Sequence, residues 1–145
     1  MKINIKKLND NAVIPTYGSE YAAGADLYAC IEESVSILPN ETKLIKTGLA
    51  LELPVGYAAF IYARSGLASK RGLAPANKVG VVDCDYRGEV MVALHNHSNT
   101  EQVVEKGERI AQMVIAPYIT AEFCVVDELS DTVRGAGGFG STGTK

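Results

Sequence analysis

The residues best suited to chemistry are concentrated in 77–88, Asn-Lys-Val-Gly-Val-Val-Asp-Cys-Asp-Tyr-Arg-Gly. Two carboxylates, Asp83 and Asp85, and the Tyr86 phenol share one short polar stretch. Hydrolysis of a phosphoanhydride needs a water aligned with phosphorus and relieved of its proton, and a carboxylate on a rigid turn can do both. Asp83 is the candidate general base. Asp85 reads as a turn former accepting backbone hydrogen bonds, a role equally open to Asp83. The Asn77 amide offers a donor and an acceptor, enough to read one edge of a planar base. A second concentration is Arg64-Ser65-Gly66, where an apolar run gives way to a short helix. Unpaired N–H groups at a helix start attract phosphate, Arg64 adds a bidentate cation and Ser65 a hydroxyl. A helix cap with a surface ion pair would use the same residues.

The elements that position these groups read mostly as strands. Apolar runs at 79–82 and 90–94 flank the acidic turn and predict a hairpin, with Gly88 supplying backbone freedom. Groups at the mouth of such a hairpin lack ladder partners, and a base with complementary edge atoms would satisfy them. Ile3/Ile5, Val35/Ile37 and Leu49/Leu51/Leu53 alternate with other residues, and 57–63 and 110–115 are longer apolar runs. Frequent Gly and Pro between them argue for an all-β sandwich, jelly roll or barrel. The exception is 65–72, where Ser65 can cap a short helix and Gly72 can end it. Such a helix is too short to stand without packing. Asp26 follows a small-residue turn, and Gln112 lies on the run after Gly107. Residues 134–145 carry Gly, Ser and Thr with one aromatic, so they should be mobile until something orders them.

Composition narrows the function classes. With 145 residues, the chain fits one domain. A net charge of −3 argues against sequence-independent nucleic-acid binding. No apolar run approaches the ~20 residues of a membrane helix. No leader-like apolar block precedes the first alternating residues, which points to the cytoplasm. Cys30, Cys84 and Cys124 are odd in number and lack C-x-x-C spacing, against structural zinc or a disulfide framework. His95 and His97 have no third ligand at useful spacing and read as structural.

Five stretches then fall in order: Ala23-Gly24-Ala25-Asp26-Leu27; Ala63-Arg64-Ser65-Gly66-Leu67; G-V-V-D-x-D-Y-R-G-E from Gly80 to Glu89; Lys106-Gly107-Glu108-Arg109-Ile110-Ala111-Gln112-Met113; and Arg134-Gly135-Ala136-Gly137-Gly138-Phe139-Gly140-Ser141-Thr142-Gly143. Together they span nearly the whole chain and resemble the motifs of the trimeric deoxyuridine triphosphatases, the dUTPases. The resemblance implies a jelly-roll-like β-sandwich or distorted barrel with one short helix, occupying 1–133, and a flexible lid at 134–145. It implies hydrolysis of dUTP to dUMP and pyrophosphate, limiting dUTP for DNA synthesis and supplying dUMP for thymidylate. By resemblance, Asp83 contacts the sugar 3′-hydroxyl and activates the water that attacks the α-phosphorus. Asn77 and the backbone at Val81 and Val82 read uracil. Tyr86 lies under the deoxyribose and leaves no volume for a 2′-hydroxyl. Arg64, Ser65 and Gly66 bind the triphosphate, with Gln112 near the phosphates and the water. Arg134 clamps a terminal phosphate, Phe139 caps the base, and Gly140, Ser141 and Thr142 close on the phosphates. Met91 is either core or a nucleoside contact, and Lys106 and Arg109 are surface or structural charges.

Mg2+ is the implied cofactor, held by phosphates and waters with no direct protein ligand, and Asp26 sits near the metal's waters. The family works as a homotrimer whose sites draw on three chains. The base-reading turn comes from one, Arg64–Gly66, Gln112 and Asp26 from a second, and the tail from a third. A dCTP deaminase on a related fold and a non-catalytic nucleotide sensor are the competing readings. The Asp-x-Asp-Tyr-Arg-Gly turn disfavours the first, and intact Asp83, Gln112 and Arg134 disfavour the second.

Overall fold

The computed structural model describes residues 1–138. Its strands are β1 (Asn4–Lys7), β2 (Thr16–Tyr17), β3 (Ala25–Tyr28), β4 (Val35–Ile37), β5 (Thr42–Lys46), β6 (Leu49–Glu52) and β7 (Tyr57–Tyr62). After helix α1 (Ser65–Arg71) come β8 (Leu73–Pro75), β9 (Gly80–Val82), β10 (Met91–Asn96), β11 (Gln102–Val104) and β12 (Arg109–Pro117). A five-stranded sheet runs β2-β3-β12-β7-β9 and a three-stranded sheet runs β5-β10-β8, with β1-β6 and β11-β4 as smaller pairs. One apolar cluster joins Leu27, Ile61 and Met113 of the larger sheet to Ile45, Val92 and Leu94 of the three-stranded one. Full burial of each such side chain contributes about 1.5–3 kcal/mol before chain entropy is subtracted. The result is β-sandwich-like, and among the described residues no sheet closes on itself.

Alternation explains the strand that matters most for the site. In β3, Ala25 and Leu27 are buried while Asp26 and Tyr28 are only partly so, as expected when one sheet face packs inward. Asp26 is therefore a strand residue, not the turn aspartate that its small neighbours suggest.

The apolar runs on either side of the acidic turn do not form a laddered hairpin. Strand β9 pairs with β7, Val82 opposite Ala59 and Gly80 opposite Ile61, whereas β10 pairs with β5 and β8. The chain crosses from one sheet to the other through residues 83–90, and β9 is left as a sheet edge.

Helix α1 is seven residues long and ends as its sequence predicts, with Gly72 in the left-handed region at φ 67° and its N–H bonded to Ala68 O. The start differs: Arg64 is the N-cap, no side chain caps the helix, and Ser65 is its first residue. A helix this short needs external support, and Arg71 supplies it. Its Nε donates to Gln102 Oε1 at 3.0 Å, and its other nitrogens reach the Glu108 carboxylate and Val103 O.

Beyond β12, residues 118–138 form neither helix nor strand, and Ile119, Phe123, Val125, Leu129 and Val133 are exposed. Among the described residues no helix is long and apolar enough to cross a membrane.

Candidate active site

Two separate concavities collect the chemically capable residues. The first is a cleft of about 300 Å³ between the diverging β9 and β10, lined by Asn77, the Gly80–Val82 edge, Asp83, Tyr86, Glu89 and Met91. Because β9 is an edge, the N–H and C=O groups on its outer side have no strand partner and can pair with a planar ligand. Gly80 keeps the cleft open, since a Cβ there would lie 3.2 Å from Ile61 Cβ and 3.3 Å from Asn77 Nδ2. Asn77, Val81, Asp83, Tyr86 and Met91 all present exposed surface, and Val82 is half-buried.

Asp83 stands where β9 leaves its sheet, and its carbonyl accepts the Tyr86 N–H at 3.2 Å. Arg87 Nη1 donates to Cys84 O at 2.7 Å and Tyr86 O at 3.1 Å, tightening the turn from outside. Below it the Cys84 thiol meets the Tyr118 hydroxyl at 3.5 Å. Tyr118 ionises less readily than an ordinary tyrosine. The hydrogen bond to Cys84 is the main cause, followed by thiolate charge, partial desolvation and the charges of Asp83 and Asp85. The phenol beneath the acidic turn thus stays neutral and adds no charge there.

The second concavity, about 230 Å³, is lined by Gly24, Asp26, Arg64, Ser65, Gly66, Arg109 and Gln112. Asp26 sits between two cations: Arg64 Nε donates to Oδ1 at 2.8 Å and Arg109 Nη1 to Oδ2 at 3.2 Å. Two guanidiniums against one carboxylate leave net positive charge beside the exposed Ser65 and Gly66, which suits a polyanion. Asp26 is thereby an organiser of arginines. Arg109, which the sequence suggests as a surface or structural charge, lines the pocket. Lys106 pairs outside it with Glu32 at 3.8 Å. Gln112 donates to Ala63 O at 2.8 Å and lies against Gly24, where a Cβ would come within 2.6 Å of Gln112 Oε1. The small residue in the first motif is what admits the glutamine of the fourth.

The two concavities lie apart. Asp26, Gln112 and Tyr62 form one row across the large sheet, and Val82 pairs with Ala59, three residues further along β7 and one strand beyond it. At about 3.3 Å per residue and 4.8 Å per strand, Asp26 and Val82 are roughly 17 Å apart. Asp83 and Arg64 of one chain do not meet on one phosphate. Arg134 joins neither pocket: its Nε turns back to Gly137 O at 2.7 Å. Phe139, Gly140, Ser141 and Thr142 lie outside the described residues.

A β-sandwich with a base-sized edge cleft and an arginine-organised anion pocket defines a nucleotide-binding protein. The chain belongs to the dUTPase family, whose family model matches residues 10–143. It is 57% identical over 143 residues to the deoxyuridine 5′-triphosphate nucleotidohydrolase of Nautilia profundicola, covering 99% of each chain. Among solved structures it is similar to the dUTPase of Staphylococcus bacteriophage 80alpha with dUPNHPP, at TM-score 0.89, 31% identity and 99% coverage of both chains. It is also similar to a mutant dUTPase from phage phi11 of S. aureus, at TM-score 0.81 and 25% identity over 90% of this chain and 100% of that one. That structure concerns the coordination of a structural Mg(II) ion.

Proposed function

We propose that this enzyme hydrolyses dUTP to dUMP and pyrophosphate, with Asp83 taking the proton from the attacking water. The observation that carries the reading is the position of Asp83 at the mouth of the β9 cleft, beside the Asn77 amide and the unpartnered backbone of Gly80–Val82. Uracil pairs with that edge, aided by Asn77. Cytosine would turn a donor toward a donor, and the methyl of thymine would meet backbone. Tyr86 packs under the deoxyribose and Met91 flanks the nucleoside. The water oxygen bonds to the α-phosphorus, the bond from that phosphorus to the bridging oxygen breaks, and pyrophosphate leaves. Arg64, Ser65, Gly66 and Gln112 hold the phosphates, and Arg134, Phe139, Gly140, Ser141 and Thr142 close over them as the lid of 134–145.

Mg2+ is the cation we assign. We assign an ion held mainly by phosphates and its own waters, as Mg2+ commonly is in phosphate sites. When bound it neutralises phosphate charge. An Asp26 near those waters would have to share an oxygen already bonded to Arg64 or Arg109. The three cysteines are free, which fits the reducing cytoplasm.

The ~17 Å between the two concavities supports a site built from more than one copy of the chain, and we assign a homotrimer. The exposed apolar side chains of 119–133 fit the same reading, since monomers rarely leave so many uncovered.

Pyrophosphate release from dUTP, UTP, dCTP and dTTP tests the activity. Only dUTP should turn over rapidly, and chelation of Mg2+ should suppress it. Comparable rates on dCTP or UTP would end the reading. Subunit sharing is tested by mixing Asp83→Asn and Arg64→Gln chains through unfolding and refolding. Random mixed trimers should recover about a quarter of wild-type activity, and no recovery means each chain keeps its own site.

A further inference from the structure

We propose that Glu89 is a positioning residue that sets sugar selectivity, by fixing the backbone carbonyl on which the Tyr86 hydroxyl rests. The proposal builds on the reading of Tyr86 as the wall beneath the deoxyribose.

Strand pairing does not hold Tyr86, because β9 and β10 belong to different sheets. Its ring must be held by other means, and two contacts are visible. Its hydroxyl donates to Glu89 O at 3.0 Å. Its ring also lies on the bare backbone of Gly88, where a Cβ would fall 2.5 Å from Tyr86 Cζ and 2.9 Å from Cε2. The ring is therefore only as fixed as the peptide units of Gly88 and Glu89.

Those units are tied to residues 47–49. Glu89 Oε1 accepts the Gly48 N–H at 2.8 Å in a partly buried setting. One residue on, the Val90 N–H donates to Leu49 O at 2.8 Å, and the buried Thr47 hydroxyl donates to Val90 O at 2.5 Å. Gly48 is itself constrained: its φ is +69°, and a Cβ there would come within 2.8 Å of both Ala12 Cβ and Cys30 Sγ. A rigid segment thus grips the chain immediately after the sugar wall, and among the described residues the Glu89 side chain is its one hydrogen-bonded grip between Asp83 and Val90. Without that carboxylate the Gly48 N–H loses its acceptor, and the peptide plane that carries the Glu89 carbonyl keeps only the Val90 N–H bond to Leu49 O, about which it can pivot. The ring then tilts, and space for a 2′-hydroxyl opens. Glu89 touches no reacting atom in this scheme, so selectivity should change more than the chemical step.

Kinetics with dUTP and UTP test this in the full-length enzyme. Glu89→Ala should raise kcat/KM for UTP relative to dUTP by about tenfold or more, with kcat on dUTP changing less than that ratio. Glu89→Gln keeps an acceptor for Gly48 and should restore wild-type selectivity. Tyr86→Phe, which removes only the hydroxyl, should relax selectivity in the same direction and covers the case in which Glu89→Ala fails to fold. A UTP-to-dUTP ratio within about twofold of wild type in Glu89→Ala, or in Tyr86→Phe if the first variant is unfolded, overturns the proposal. Tyr86→Ala separates the two levels. If it relaxes selectivity and Glu89→Ala does not, only the role of Glu89 falls. If Tyr86→Ala leaves the ratio unchanged, the reading of Tyr86 as the sugar wall falls with it.

Discussion

Asp83→Asn should lower turnover of dUTP by about 10²–10⁴-fold, the usual worth of a positioned general base, while nucleotide still binds. The substitution preserves shape and replaces one carboxylate oxygen by an amide nitrogen, so the water keeps a hydrogen-bonding neighbour and loses its proton acceptor. Binding should survive because the other determinants proposed above are untouched: the β9 edge and Asn77 for the base, Tyr86 for the sugar, and the Arg64 pocket for phosphates. Removing a negative charge near a polyanion should, if anything, tighten the complex. Asp83 is exposed and contributes nothing to the apolar cluster, so stability should shift by no more than about 0.5 kcal/mol. Pyrophosphate release and calorimetric binding of a non-hydrolysable dUTP analogue measure the two halves separately. Turnover within about tenfold of wild type would remove Asp83 from the base role.

Elements with strong local signals were legible in the sequence. Leu49 and Leu51 of β6 and Leu53 just after it are buried as their alternation predicts, although Ala50 between them is buried too, and Gly72 ends α1 because the chain there needs a left-handed residue. What was not legible depended on distant partners. Runs at 79–82 and 90–94 look like two arms of a hairpin whether or not they pair. Phe60 and Ala59 on one side, and Ile45 and Lys46 on the other, draw β9 and β10 into different sheets. The β3 position of Asp26 was hidden for a related reason, since a four-residue strand beginning in a small-residue run has little pattern of its own. Arg109 gave no local hint of its pocket, because its partner is 83 residues away. The motif glycines gave only half their meaning. Gly24 and Gly88 are needed less for backbone freedom than for the side chains of Gln112 and Tyr86 that occupy the space of a missing Cβ. Motif order did bring residues that line concavities to attention, and the structure separates them into two pockets that a linear reading cannot distinguish.

Deleting residues 134–145 should remove at least about 99% of activity and leave the melting temperature nearly unchanged. The thermal half of this expectation follows from where the described residues of the segment, 134–138, make their contacts. Arg134 bonds to Gly137 O, Gly137 N–H to Arg134 O, and Gly135 N–H to Thr132. Each partner lies within a few residues along the chain, and none belongs to the sheets. Among the described residues the apolar cluster draws nothing from beyond β12, so removing 134–138 uncovers no core surface and the cost estimated from buried area there is close to zero. The catalytic half follows from what the open pockets lack. Both concavities face solvent, and water competes for every phosphate and base contact made there. In the proposed closure Arg134 would bring a guanidinium for the terminal phosphates, and Phe139 a ring whose stacking on a base is worth roughly 1–3 kcal/mol. Neither contact alone orders twelve residues against their chain entropy. Acting together on one nucleotide they could, and the proposed closure would then coincide with substrate binding. Truncated enzyme should therefore bind dUMP almost as wild type does and lose most of its affinity for the triphosphate analogue, because dUMP lacks the phosphates that Arg134 would hold. Differential scanning calorimetry and parallel titrations with the two nucleotides check both halves. A lowered melting temperature would make the segment structural, and undiminished turnover would show that the two pockets suffice without a lid.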